Sequence, residues 1–180
     1  MIAGIAIGAA VVLLLLFAIS IRRRLAVMDE NINNAMNQIG VQLCLCFNAI
    51  GGLLEETRGY APNESRMIMD AVRSRRSTVT GKSTPDQVIK QEQVISEALN
   101  RISVMAEKYP EIKAGQTYIS TMKAVDSYQK TAGTGRLIYN DSVAKLNRQL
   151  HMFPTWLLGG MMGFRKREYL EAAPKPAERY

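Results

Sequence analysis

Apolar and small residues recur every three or four positions over the first third of the chain, directly after an uninterrupted apolar run. This spacing places them on one side of an α-helix, where they form an inner seam that packs against other helices. No proline or glycine separates the apolar run from the seam, so the sequence predicts one continuous helix through both. Gly51 and Gly52 weaken that helix, and Gly59 is expected to end it. The inner seam consists of Leu25, Met28, Ile32, Ala35, Ile39, Leu43, Cys46, Ile50 and Leu53.

The apolar run itself, Ile2 to Ile21, contains no charged residue. A helix of this length covers about 30 Å, the hydrocarbon thickness of a bilayer. Its Leu, Ile, Val and Phe side chains favour membrane insertion by roughly 4 to 7 kcal/mol before glycine and serine are discounted. The alternative is a cleaved signal peptide, but that needs a basic segment before the apolar run, and here the basic residues follow it. We therefore predict a retained transmembrane anchor.

Three consecutive arginines, Arg22, Arg23 and Arg24, follow the apolar run. Arginine is unfavourable in hydrocarbon but favourable beside anionic headgroups, where each one contributes about 1 kcal/mol. The positive-inside bias keeps this end of the anchor in the cytoplasm. We expect a single-pass protein with a very short N-terminus outside and the rest of the chain in the cytoplasm.

Two further helices follow the first one. The second is expected over about 62–78, where its apolar stripe is short. The third, over 85–109, has proline at its first position and follows Thr84, a good N-cap residue. Gln87 stands three positions after Thr84 and completes a capping box. Pro110 is expected to end this helix.

The fourth helix is the longest of these, with a seam in strict four-and-three alternation from Tyr118 to Phe153. Gln129 and Arg136 interrupt that seam, so a kink or a buried polar contact is expected there. No segment shows the alternation of β-branched residues that is typical of a strand.

The predicted fold is all-α, with a single N-terminal transmembrane helix continuous with an antiparallel bundle of about four long helices. Residues 1–24 form the anchor with its basic stop, and residues 25–172 form the bundle. The proline-rich tail, 173–180, is expected to be disordered.

The charge of the chain argues against a nucleic-acid partner, and its cysteines indicate the compartment. The net charge is +7, and without the three boundary arginines 20 Lys and Arg face 16 Asp and Glu, which leaves +4. This modest excess suits an acidic membrane surface, and basic and aromatic residues do not alternate, so we expect no nucleic-acid partner. Cys44 and Cys46 project to different sides of a helix and are expected to be free thiols in a reducing compartment.

Candidate catalytic motifs have simpler explanations. The stretch Gly81-Lys82-Ser83-Thr84 resembles the end of a phosphate-binding loop, but Arg76 stands where that motif needs glycine and no strand precedes it. Adjacent Glu55 and Glu56 diverge on a helix, and His151 is the sole histidine. We therefore predict no catalytic, cofactor-binding or metal-binding residues.

The C-terminal part contains a dense apolar cluster followed by a basic trio. Such a segment either packs over one end of the bundle or contacts a membrane surface or a partner, because aromatic and methionine side chains beside basic ones suit both. The residues considered for partner or lipid contact are Trp156, Met161, Met162, Phe164, Arg165, Lys166 and Arg167.

Several short motifs follow one another along the chain: AMNQIGVQL at 35–43, ETRGYAPNES at 56–65, YPEIKA at 109–114, Tyr139-Asn140, Phe153-Pro154 and Gly163-Phe164. Taken in order, they resemble the LemA family of bacterial inner-membrane proteins. The resemblance implies one N-terminal membrane helix followed by a cytoplasmic helical bundle. Two departures, Cys44-Leu45-Cys46 and Gly51-Gly52-Leu53, make one surface more apolar than the family pattern implies.

The resemblance implies a location in the bacterial inner (cytoplasmic) membrane but no defined activity. Family members are associated with membrane metalloproteases of the HtpX type, which suggests a role in envelope stress or membrane-protein quality control. Our leading hypothesis is a non-enzymatic, membrane-anchored scaffold or adaptor that binds other proteins or forms a homo-oligomer. The alternatives are a membrane-surface organiser that uses the C-terminal apolar cluster, and an enzyme with an unrecognised site. Faces considered for protein contact are those around Gln38, Gln42, Tyr60 and Glu64.

Overall fold

A computed structural model describes residues 2–171, with side chains from residue 8 onward. All the regular structure in this part of the chain is α-helix. The prediction of an all-α bundle is therefore confirmed. Within the same described residues, no helix is both long enough and apolar enough to cross a membrane. The membrane-spanning part of the fold stays a prediction, and the tail over 173–180 lies outside the described residues.

The first helix, α1 (Ile2–Thr57), continues without a break from the apolar run into the bundle. The inner seam is buried as predicted, except that Met28 is half-buried. Gly51 and Gly52 lie within the helix, which ends in a turn where the Tyr60 N–H donates to the Thr57 carbonyl at 3.0 Å. The inner seam therefore supplies one wall of the core along the whole bundle.

Five further helices follow α1. They are α2 (Pro62–Arg75), α3 (Pro85–Lys108), α4 (Pro110–Ala114), α5 (Gln116–Gln149) and α6 (Thr155–Met161). Helix α2 ends at Arg75, before the predicted position, because the buried Gln91 side chain forms hydrogen bonds with the backbone at the end of the helix. Gln91 Nε2 donates to the Arg75 carbonyl at 3.2 Å, and Gln91 Oε1 accepts the Ser77 N–H at 2.8 Å. At the start of α3, Gln87 Oε1 accepts the Thr84 N–H at 3.1 Å, as the capping box predicts.

The two longest helices, α1 and α5, form an antiparallel pair. Thr121, early in α5, donates to the carbonyl of Ala49 near the end of α1 at 3.2 Å. Gly135, later in α5, lies against Ile39, earlier in α1, so closely that a Cβ on the glycine would be 3.0 Å from Ile39 Cγ1. Helices α2 and α3 pack against each other and against α1.

The loop between α2 and α3 crosses α1 at Gly40. A Cβ at this position would lie 2.1 Å from the Val79 carbonyl oxygen, so only glycine permits the crossing. Asn37 Oδ1 accepts the Gly81 N–H at the same crossing. The Gly81-Lys82-Ser83-Thr84 stretch is thus a packed and capped connection across α1.

Helix α5 departs from its predicted seam in its first half. Tyr128 is buried, whereas the neighbouring Gln129, which the spacing placed in the seam, is exposed. The reason is a polar contact: the Tyr128 hydroxyl donates to Glu92 of α3, and this pulls the ring inward. Phe153, predicted as the last seam residue, lies beyond the helix and is 79% exposed.

Candidate interaction surfaces

A second seam runs along the solvent side of α1. Its members alternate in steps of four and three residues, which is the spacing of positions that face a partner helix in a coiled coil. All of them are exposed in the structure. We call this set the outer seam: Val27, Asn31, Asn34, Gln38, Val41, Leu45, Asn48 and Gly52.

The outer seam carries no charge. The sequence from Asn31 to Leu54 contains no Asp, Glu, Lys or Arg at all, although exposed helix positions are usually rich in them. Val41 is 57% exposed and Leu45 is 54% exposed. Depletion of charge with apolar side chains at the centre is the composition of a protein interface core. Gln38 belongs to the outer seam, and Gln42 lies half-buried beside it.

Tyr60 and Glu64 lie elsewhere. They stand in the turn after α1 and in the first turn of α2, and Thr57 at the end of α1 is about 22 Å along the helix from Gln42. Tyr60 is 53% exposed. Glu64 accepts a hydrogen bond from Lys108 Nζ at 2.9 Å, and this contact lowers the pKa of its carboxyl group. The four residues predicted as contacts therefore form two separate surfaces.

The two cysteines have different environments. Cys44 is exposed beside Arg76, whose Nη2 lies 3.2 Å from the sulfur and whose guanidinium lies 5.2 Å above the Phe47 ring centre. Phe47 and Arg76 border an open depression of about 230 Å³ between α1 and α2. Cys46 is buried, and burial raises the pKa of its thiol to about 11. Cys46 is therefore a core residue, whereas Cys44 is available to solvent.

The C-terminal apolar cluster has one buried and one exposed side. Helix α6 packs through Gly159, where a Cβ would lie 2.7 Å from Leu150 Cδ2 and 3.4 Å from Leu25 Cδ1. On the other side, Trp156 is 53% exposed and Met161 is 80% exposed. Because Leu25 follows the three arginines directly, this exposed side lies level with the predicted membrane boundary.

The three topology arginines and the remaining predicted contact residues separate into three groups. Arg22, Arg23 and Arg24 are exposed on α1, and Arg165 and Lys166 are also exposed. Met162 and Phe164 are half-buried. Arg167 turns inward, where its Nη2 donates to Asp29 Oδ1 at 2.9 Å and to Asn33 Oδ1 at 3.3 Å.

A largely buried ion pair joins α3 to α5. Arg136, which interrupts the α5 seam, donates to Glu92, and their side chains are only 17% and 10% exposed. The Tyr128 hydroxyl shares the same carboxylate. Burial and the adjacent Glu92 carboxylate raise the pKa of Tyr128 well above its usual value. The predicted buried polar contact therefore exists at Arg136, and it aligns α3 with α5.

The acidic pair and the histidine considered in the sequence lie on the surface. Glu55 Oε2 forms an ion pair with Arg58 Nη1 at 3.0 Å, Glu56 is exposed, and His151 is exposed just after α5. Within the part of the chain that the structure describes, no three His, Cys, Asp or Glu side chains are grouped so that they could hold a metal ion.

The sequence profile of the LemA family matches residues 35–179, which is most of the chain. This chain belongs to the LemA family. The matched region begins at residue 35, within the outer seam of α1, and includes α2, α3, α4, α5 and α6. No curated protein matches the chain. Membership of the LemA family confirms the resemblance carried by the motifs.

Proposed function

We propose that the protein is a membrane-anchored, non-enzymatic scaffold or adaptor of the bacterial inner membrane, with its bundle in the cytoplasm. The observation that carries this proposal is the outer seam, an exposed stripe with coiled-coil spacing and no charge on α1. Leaving such a stripe exposed to water costs free energy, and covering it with another helix removes that cost.

The anchor rests on the first part of α1. Ile2 to Ile21 carries no charged residue. From Val11 to Phe17 every large apolar side chain is about half exposed or more, so the bundle does not cover this band. Exposed apolar side chains on a helix segment that ends in three arginines are what a single membrane span requires.

The anchor also determines how copies of the protein would meet. The membrane helix and the outer seam belong to one helix, so copies in the same membrane present their seams in the same orientation. In a parallel pair, Val41 and Leu45 would meet as apolar layers, with the Gln38 amide beside them. Amide side chains at seam positions fix register and the number of helices at some cost in stability. The seam therefore suits a second copy or one parallel helix of a membrane partner.

A role in envelope stress or membrane-protein quality control, with a membrane metalloprotease of the HtpX type as partner, rests on family association alone. The outer seam supports a protein partner. Capture of that partner from the membrane would identify it.

Native mass spectrometry of the full chain, extracted from bacterial membranes in mild detergent, tests the proposal. The wild-type protein should carry a second copy or one defined membrane protein. Val41→Glu with Leu45→Glu places charge at the centre of the outer seam and should release that partner. Val104→Glu is the matched control, because Val104 is 67% exposed on α3 and lies outside the seam. A monomeric wild type, or partner retention in the Val41→Glu/Leu45→Glu variant, would contradict the proposal.

A second candidate function is contact with the membrane surface through α6. It is supported by the position of Trp156 and Met161, which are exposed level with the predicted boundary, beside exposed Arg165 and Lys166. Amphipathic segments of this composition bind anionic interfaces. This contact is compatible with the scaffold, because α6 and the outer seam use different residues.

A further inference from the structure

The C-terminal segment, residues 164–171, has no helical structure and lies along α1 and α5. Two asparagine side chains of α5 bind its backbone in the same way. Asn147 accepts the Arg167 N–H at 3.0 Å and donates to the Arg167 carbonyl at 2.9 Å. Asn140 accepts the Leu170 N–H at 2.8 Å and donates to the Leu170 carbonyl at 3.0 Å. Each side-chain amide thus forms the pair of hydrogen bonds that the backbone of a neighbouring β-strand would form.

The spacing of these contacts explains why the pairing repeats. Asn140 and Asn147 are seven residues apart on a helix, which corresponds to about 10.5 Å along its axis. Arg167 and Leu170 are three residues apart, and three residues of extended chain span about 10 Å. One heptad of α5 therefore matches three residues of an extended segment, so both amides engage without distorting either element.

Side chains at the same two positions give the binding its selectivity. Backbone pairing with asparagine would accept almost any sequence. Arg167, however, donates from Nη2 and Nε to Asp29 Oδ1 at 2.9 and 3.2 Å, and Leu170 is only 1% exposed. The residues between them contribute little, because Glu168 offers only its carbonyl, to the Tyr139 hydroxyl at 3.0 Å, and Tyr169 is 52% exposed. The side-chain contacts of the segment are therefore made by an arginine and a leucine three positions apart.

We propose that this surface of α1 and α5 is a binding track for an Arg-x-x-Leu segment, and that in assembled copies it receives the C-terminal segment of a second copy. The track consists of Asp29, Asn33, Tyr139, Asn140 and Asn147. Every copy carries both the track and the segment, so the charge complementarity of Asp29 and Arg167 is the same within a chain and between chains. This inference rests on the proposed scaffold function, because the role of segment exchange would be to link neighbouring copies.

The connection to the segment permits this exchange. Gly163 has a φ of +83°, which favours glycine, and a Cβ there would meet no atom within 4 Å. Phe164 packs half-buried against the core, whereas Arg165 and Lys166 are exposed, so the two residues between Phe164 and Arg167 are where the segment can leave its own track. A segment on a short tether has an effective concentration on the order of millimolar, so dilute protein keeps its own segment bound. Anchored copies crowded in one membrane are where exchange becomes competitive.

A charge-swap experiment on the full chain in detergent tests the proposal. Asp29→Arg repels the chain's own Arg167, and Arg167→Asp repels its own Asp29, so each variant loses its internal pair. When the two variants are mixed, the segment of the Arg167→Asp chain fits the track of the Asp29→Arg chain, because the two exchanged charges are again opposite. The Asp29→Arg chain is labelled with a heavy isotope. The Arg167→Asp chain is light and carries a photoreactive phenylalanine in place of the exposed Tyr169.

We expect several-fold more crosslinks between light residue 169 and the heavy α1 or α5 in this mixture than in a mixture of heavy and light chains without the charge changes. The double variant, Asp29→Arg with Arg167→Asp, restores the internal pair and should return the crosslinks to its own chain. Equal crosslinking in the two mixtures would overturn the proposal. So would a double variant that keeps its far-ultraviolet circular dichroism but shows no restored same-chain crosslinks.

The outcome is separate from that of the seam experiment. Absence of exchange, with partner capture still lost in the Val41→Glu/Leu45→Glu variant, would overturn the track alone. Exchange without any seam-dependent partner would overturn the scaffold interface alone.

Discussion

Arg167 donates two hydrogen bonds, from Nε and Nη2, to Asp29 Oδ1, and this contact joins the end of the described chain to the first helix across 138 positions of sequence. Asp29 lies just beyond Arg22, Arg23 and Arg24, close to the predicted membrane boundary. The C-terminal segment therefore returns to the membrane-proximal half of α1. The same half of the bundle carries α6 with its exposed Trp156, so interactions concentrate at this end of the protein.

The buried ion pair between α3 and α5 should be costly to break. Glu92→Ala leaves the Arg136 guanidinium buried without its carboxylate, and losing one partner of such a pair destabilises proteins by about 3 to 5 kcal/mol. Denaturant unfolding monitored by circular dichroism should show a decrease of about 3 kcal/mol in the free energy of unfolding. The control is Asp126→Ala, because the Asp126–Lys130 pair is largely exposed and should change stability by about 0.5 kcal/mol or less.

A double variant distinguishes a buried charge from simple loss of volume. Glu92→Leu with Arg136→Met removes both charges while keeping the side-chain volume similar. It should recover the part of the lost stability that comes from the unpaired Arg136 charge, whereas the Tyr128 hydroxyl lacks its Glu92 acceptor in both variants. If the double variant is less stable than Glu92→Ala, the ion pair itself stabilises the bundle, and the unpaired buried charge is not the reason for the loss.

Gly40 should not tolerate a side chain. In Gly40→Ala the new Cβ would collide with the Val79 carbonyl, so the crossing loop must shift, at a cost of about 2 to 3 kcal/mol. The matched control is Gly133→Ala on α5, where a Cβ would meet no atom within 4 Å. That change should stabilise the helix by about 0.5 to 1 kcal/mol. Thermal or denaturant unfolding of the two variants measures both effects, and a neutral Gly40→Ala would contradict the close crossing.

The inner seam of α1 was predictable because apolar residues at helical spacing leave an unambiguous pattern. Of the outer seam, only Gln38 and the more apolar surfaces at Cys44-Leu45-Cys46 and Gly51-Gly52-Leu53 were predicted, because a search for apolar spacing does not detect a stripe that mixes Val and Leu with amides. Its signal was the absence of charge from Asn31 to Leu54. On α5, the choice of Tyr128 over Gln129 depended on a carboxylate from another helix. The C-terminal segment has no periodic pattern, so only the seven-residue spacing of Asn140 and Asn147 could have indicated it.

Alkaline pH should weaken the fold through Cys46. Its pKa is raised from 9.0 to about 11 by burial, and unfolding returns the thiol to its ordinary pKa. Deprotonation therefore favours the unfolded chain, so the contribution of the protonated thiol is complete below pH 9 and falls as the pH rises towards 11. The stability difference between the wild type and Cys46→Ala should shrink over that range in denaturant unfolding experiments.

The exposed thiol provides the control for this pH effect. In the folded chain at about pH 8, iodoacetamide should modify the exposed Cys44 and leave the buried Cys46 unmodified until denaturant is added, which peptide mass spectrometry resolves. Equal modification of both cysteines in the folded chain would show that Cys46 is not buried, and the pH prediction would then lose its basis.

The position of α6 can be measured with the chain's single tryptophan, Trp156. If α6 contacts the membrane surface, lipids brominated near the headgroup should quench Trp156 fluorescence in reconstituted bilayers, and aqueous iodide should quench it weakly. The control is Trp156→Phe with Tyr60→Trp, because Tyr60 is similarly exposed but follows the end of α1, about 50 Å from Arg24. That probe should respond to iodide alone. Iodide quenching of Trp156 as strong as that of the Tyr60→Trp probe would contradict membrane contact.

The scaffold proposal is tested most directly by photocrosslinking in native membranes. A photoreactive residue in place of Leu45, at the centre of the outer seam, is compared with the same residue in place of Val104, which is exposed on α3 outside the seam. The proposal predicts that position 45 crosslinks strongly to a second copy or to one membrane protein, whereas position 104 gives only weak and scattered products. Equal, scattered crosslinking from both positions would contradict it.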